Sequence, residues 1–145
     1  MDKIVKEFLA HHRVCCFSVL LPNRGLHSAT MHYVFCEEKD EFYLVTQKDS
    51  RKYQAFSTTS SCNAALTIGF NEKEWVTMQM DGKAFLIPTE ERTHAEQCYS
   101  ARYPSYAKYK TDPQAVFVKF VPTWWRYSSF KTKPHVIIFS EDEQT

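Results

Sequence analysis

Apolar residues recur along this chain with two different periods. Near its start, Ile4, Val5, Phe8 and Leu9 fall on one face of a short helix. Asp2, just ahead of them, is a favourable N-cap, and His11 and His12 suit the helix C-terminus. Residues 14–21 then form a continuous apolar, β-prone run, as expected of a buried strand. Pro22, Asn23, Arg24 and Gly25 make a turn by composition. Residues 26–35 mix small polar side chains with Met31, Tyr33, Val34 and Phe35. A charged tip at 37–40 leads into a strand at 41–46. After Gln47, Lys48 and Asp49, residues 50–56 open as a helix, with Ser50 as N-cap and Tyr53 and Phe56 turned inward.

Further strands are expected at 64–69 and 75–87. The second is long enough to need a bend, and Gly82 is the residue that permits one. Thr89 caps a helix through Tyr103, with Glu90 and Glu91 in its favourable first turn. Runs at 115–121, 124–130 and 136–139 close the chain as strands. Short connections imply antiparallel pairing. Five or more such strands in a small domain favour a closed or partly open barrel, which removes exposed edges. The expected fold is mainly β (α+β), a single domain over 1–145 with short flanking helices.

Composition narrows the function. At 145 residues and 43% apolar, the chain can bury roughly two-thirds of its unfolded surface in one core. Only three glycines are present, which argues against a glycine-rich nucleotide loop. A net charge of +1 excludes a purely electrostatic nucleic-acid binder and gives no case for an acidic membrane. Cys15, Cys16, Cys36, Cys62 and Cys98 are odd in number and show no CxxC or other metal-ligand spacing. His27 and His32, five apart on one strand, point to opposite faces. No metal is therefore expected. With no signal peptide and no apolar run approaching ~18 residues, a cytoplasmic protein with reduced thiols is expected.

Ser50, Arg51 and Lys52 follow a strand and open a helix. Helix-terminal N–H groups, a hydroxyl, a guanidinium and an ammonium within one turn make a phosphate site. A capped helix with two solvated cations uses the same residues. The stretch from Leu44 to Lys52 (LVTQKDSRK) resembles the flavin-binding segment of the pyridoxamine 5′-phosphate oxidase-like split β-barrels. Residues 75–84 (WVTMQMDGKA) resemble that family's long strand ending in a Gly-Lys-Ala turn. The likeness runs in order over about residues 8–88.

The resemblance implies an antiparallel split β-barrel of about six or more strands, forming a homodimer with two FMN molecules between protomers. Ser50, Arg51 and Lys52 would hold the FMN phosphate, and Val45 and Thr46 would approach the ring or ribityl chain. His27, Ser28, Ala29, Thr30 and Met31 would lie along the isoalloxazine. Thr77 stands where the family often has a flavin-contacting Gln. Within Trp124, Trp125, Arg126 and Tyr127, a Trp (Trp125) and Arg126 would cover the flavin from the partner chain; an aromatic dimer seam is the alternative. Tyr99, Arg102 and Ser105 resemble only loosely the family's grip on substrate phosphate, and a solvated helix face is the better reading of them.

The chain departs from authentic pyridoxamine phosphate oxidases. It lacks their Arg-x-His pair: Arg126 is followed by Tyr127 and Ser128, and His135 is preceded two residues earlier by Lys133. It is also shorter at its C-terminal side. The expectation is an FMN-dependent oxidoreductase acting on an unidentified small molecule, with no nucleic acid or membrane partner. Other readings are flavin binding without turnover, a haem protein using His12 or His135 as ligand, and a deazaflavin (F420) protein using Lys108, Lys110, Lys131 and Lys133.

Overall fold

The structure, a computed structural model, describes residues 1–141, with the side chains at 107–109 outside the described set. Helix α1 (Lys3–His11) is capped by the Asp2 carboxylate, which accepts from the Ile4 N–H at 2.8 Å, and it buries Val5, Phe8 and Leu9. Eight antiparallel strands follow: β1 (Val14–Leu21), β2 (Gly25–His32), β3 (Val34–Cys36), β4 (Glu41–Gln47), β5 (Ser61–Ile68), β6 (Val76–Leu86), β7 (Ala115–Ser129) and β8 (Val136–Phe139). Helix α2 (Thr93–Arg102) lies between β6 and β7. The strands form one sheet in the order β2-β1-β5-β6-β7-β4-β3, with β8 added to the end of β7. Curled into a half-barrel, this is the partly open barrel expected from a series of short-linked antiparallel strands, and the split barrel that the family resemblance implies.

Two apolar layers follow from the strand alternation. Inside the half-barrel, Phe17, Phe42, Leu44, Leu66, Met80 and Phe120 are almost wholly buried beneath α1. On the other face of β4 and β7, Tyr43 and Phe117 pack under α2 with Ala95 and Tyr106. The buried Tyr33 hydroxyl donates to the Leu9 carbonyl at 2.7 Å and ties α1 to the sheet.

Four boundaries differ from the sequence expectation. The run at 26–35 is two strands, broken at Tyr33, whose N–H turns back to the Arg13 carbonyl at 3.0 Å. The segments at 115–121 and 124–130 are one strand. Pro122 does not interrupt it, because it sits opposite Gly82 at a register shift where a ladder N–H is not required. The expected helix from Thr89 begins as a 3-10 turn, Thr89–Glu91, and α2 starts only after Arg92. There the Arg92 side chain bonds Glu96 and the Ala115 and Lys110 carbonyls. The helix after Ser50 is also 3-10, spanning Arg51–Phe56.

The bend at Gly82 is present, and the glycine is required there. A Cβ at this position would collide with the Val121 carbonyl and crowd Pro122 and the Phe120 ring. Gly82→Ala is expected to destabilise the protein by about 1–3 kcal/mol, the usual cost of overpacking a tight site. Chemical denaturation checks this; a change within experimental error would mean that β7 relaxes away freely.

Candidate functional site

Strand β4 delivers Val45 and Thr46 to the start of the Ser50 turn. The Thr46 and Ser50 hydroxyls lie 2.9 Å apart, and the Ser50 N–H bonds the Gln47 carbonyl at 3.0 Å. These bonds fix a compact corner with Arg51 and Lys52 projecting from it. Arg51 is exposed and Lys52 half-buried, and burial lowers the ammonium pKa from its ordinary value. Among the described residues neither cation pairs with a carboxylate. A partly desolvated ammonium and a free guanidinium beside two hydroxyls suit an anion with several acceptor oxygens. Since the helix is a short 3-10 turn, the attraction rests on these side chains more than on a helix dipole.

The 3-10 helix packs against β1, β2 and β5, and Arg24 donates to the Gln54 side chain at 3.0 Å, so the anion corner adjoins β2. Along β2 the expected flavin residues divide between two faces. His27 and Ala29 stand opposite buried Val19 and Phe17, on the core side; Ser28 and Thr30 stand opposite Ser18 and Cys16, on the outer side. The Ser18 and Ser28 hydroxyls are 2.7 Å apart.

That outer face continues across the sheet. Thr30, Cys16, Thr67, Gln79 and Arg126 form one cross-strand row. Thr77 and Arg126 share this face, and the Arg126 Nε donates to the Ser128 hydroxyl at 3.1 Å. Trp125 does not join them. It stands opposite Met80 and packs against the barrel core, because alternation along β7 turns Trp125 and Tyr127 inward and Trp124 and Arg126 outward.

The third expected group is likewise divided. Tyr99 and Ser105 line a cavity of about 430 Å³ together with Val45, His32, Tyr103 and Gln47. Arg102 points elsewhere, donating to the Ala10 and His12 carbonyls at 2.7 and 3.3 Å, at the C-terminal end of α1. Burial, with neighbouring tyrosines, pushes the Tyr99 hydroxyl up to about 12, so it is a neutral donor at physiological pH.

Both ring nitrogens of His12 are engaged, by the Phe8 carbonyl at 2.9 Å and Glu74 at 3.2 Å, which leaves none for iron in this arrangement. His135 is exposed and edge-on to Phe130. Lys110, Lys131 and Lys133 are exposed; the Lys108 side chain lies outside the described residues. No helix among the described residues is long and apolar enough to cross a membrane.

One cluster is invisible in linear spacing. Cys36, at the end of β3, meets His94 and Cys98 of α2. The signal available was the i,i+4 spacing of His94 and Cys98, which places them on one helical face.

Comparison with known proteins agrees with this architecture. No curated protein matches the chain. A candidate pyridoxamine 5′-phosphate oxidase from Listeria innocua superposes with a TM-score of 0.68 at 17% identity, covering 86% of this chain and 94% of that one. A pyridoxamine 5′-phosphate oxidase-related, FMN-binding protein from Nostoc punctiforme gives 0.72 at 13% identity, covering 99% and 92%. A Clostridium acetobutylicum protein related to general stress protein 26 gives 0.65 at 13% identity, covering 93% and 91%. At these identities the likeness is one of fold. The family model for pyridoxamine 5′-phosphate oxidase matches residues 1–129, most of the sequence. The chain therefore belongs to the pyridoxamine 5′-phosphate oxidase family.

Proposed function

We propose that this chain is an FMN-binding flavoprotein, and that it acts as a flavin-dependent oxidoreductase on a small molecule. The observation that carries the reading is the corner at the end of β4, where two hydroxyls 2.9 Å apart adjoin two cations that have no carboxylate partner among the described residues. A terminal phosphate matches that donor set in charge and valence. Family membership and the FMN-binding relative from Nostoc support the choice of flavin over other phosphates.

In this reading Ser50, Arg51 and Lys52 grip the phosphate, and Thr46 orients the Ser50 hydroxyl. Val45, Ser28 and Thr30 border the more distant part of the ligand. The homodimer belongs to the same proposal: the outer face bearing Thr77 and Arg126 would reach the cofactor bound by the partner protomer. Substrate would enter the cavity lined by Tyr99 and Ser105, whose neutral hydroxyls offer hydrogen bonds without adding charge. The bound flavin supplies hydride or electron transfer, while the protein positions it and sheds water from it.

The decisive measurement is a visible absorption spectrum of the purified protein before and after incubation with FMN and removal of excess. Flavin bands at about one per chain are expected, together with a dimer in sedimentation. A protein that stays colourless would overturn the reading and direct the same titration to haem and F420.

A further inference from the structure

The structure carries a second constellation that shares no residue with the anion corner. The His94 Nε2 lies 3.5 Å from the Cys36 Sγ and 3.6 Å from the Cys98 Sγ. All three ligand atoms lie within 4.8 Å of one another. They come from two elements: β3 supplies Cys36, which is buried, and consecutive turns of α2 supply half-buried His94 and Cys98.

Hydrogen bonding accounts poorly for this convergence. A neutral imidazole nitrogen has one in-plane lone pair or one N–H, and here it faces two sulfurs at once. A metal ion meets both sulfurs and that lone pair together. With zinc–sulfur bonds of about 2.3 Å and zinc–nitrogen bonds of about 2.0–2.1 Å, a tetrahedron places nitrogen and sulfur about 3.5 Å apart. The two observed nitrogen–sulfur separations match that edge, and the two sulfurs lie within 4.8 Å of each other. All three residues also line one cleft of about 740 Å³, so the fourth coordination position opens toward solvent.

We propose that Cys36, His94 and Cys98 form a binding site for a thiophilic divalent cation of the zinc class. Two soft sulfurs and an imidazole disfavour magnesium and calcium, which take oxygen ligands. On binding, each thiol releases its proton to solvent and the imidazole binds through Nε2; no oxidation is involved. Water or the Glu38 carboxylate, which lines the same cleft, completes the tetrahedron. The ion clamps α2 onto the β3 edge.

The test uses the intact protein, stripped of metal and kept reduced, titrated with zinc against a chromophoric chelator. One zinc per chain is expected. Cobalt in its place should give tetrahedral visible bands and thiolate charge-transfer bands in the near ultraviolet. Cys98→Ser and His94→Ala should each weaken zinc binding at least ~100-fold, the upper range found for lesser, outer-shell changes. Circular dichroism and a cooperative thermal unfolding transition report whether each variant is folded; if one is not, Cys36→Ser replaces it. Zinc binding unchanged in folded variants would overturn the proposal. So would a folded protein that takes up no zinc once reduced, including one isolated with a Cys36–Cys98 disulfide and then reduced.

Discussion

Phe120→Ala is expected to cost about 3–5 kcal/mol of folding stability, the range for removing a large aromatic from a packed core. Phe120 has no exposed surface and sits where three strands meet. It pairs in register with Phe42 of β4 and with Ala84 of β6, and its ring lies 6.0 Å from that of Phe42. Phe42 in turn touches Phe35 and Tyr33, so the ring closes a chain of aromatic contacts running to the strand edge. Collapse around the lost ring is limited, because the backbone opposite is fixed by the register shift at Gly82. A domain typically has only about 5–15 kcal/mol in hand. Guanidinium denaturation should therefore show a large fall in midpoint, and Phe120→Leu a much smaller one. A loss under about 1 kcal/mol would mean that the half-barrel interior repacks and that Phe120 is not its centre.

Much of this architecture is legible in the chain because strand alternation and helix periodicity are local signals. Val14 to Leu21 announces β1 by its apolar run alone, and Asp2 marks the start of α1 before any tertiary contact is known. What escapes a sequence reading depends on partners distant in the chain. Pro122 reads as a strand break; only Gly82, forty residues earlier and directly opposite it, shows why β7 runs through. Thr89 has the chemistry of a cap, yet Arg92 fixes the start of α2 through bonds to Glu96 and to carbonyls near β7.

The candidate sites divide along the same line. Ser50, Arg51 and Lys52 are contiguous, so their shared corner is written in three adjacent letters. Tyr99 and Arg102 satisfy a helical spacing but serve different neighbours, the one a cavity and the other the end of α1. Cys36 stands 58 residues from His94, a separation that no motif spacing would join. Alternation alone separates Trp124 from Trp125; it needs the register with β6 to say which one faces the core.

Replacing Arg51 and Lys52 together with alanine is expected to weaken FMN binding by roughly ten- to a hundredfold while leaving the fold intact. Hydrogen bonds to charged groups contribute about 1.5–3 kcal/mol each. Arg51 is exposed and Lys52 half-buried, so solvent screening holds their sum near about 1.5–3 kcal/mol. At about 1.4 kcal/mol per tenfold, that is the stated range. Stability should change little, since neither side chain bonds or pairs with another described group, while Ala55 and Phe56 do the packing for this helix. The loss should shrink with increasing salt, because salt weakens FMN binding by the unaltered protein: exposed charge pairs are screened over about 8–10 Å at moderate ionic strength. It should also depend on the ligand. Riboflavin, which lacks the phosphate, should bind the double variant and the unaltered chain about equally. Equal FMN affinity in a folded double variant would remove the anion corner from the site, and a matching loss for riboflavin would show that the two cations act on the ring and not on the phosphate.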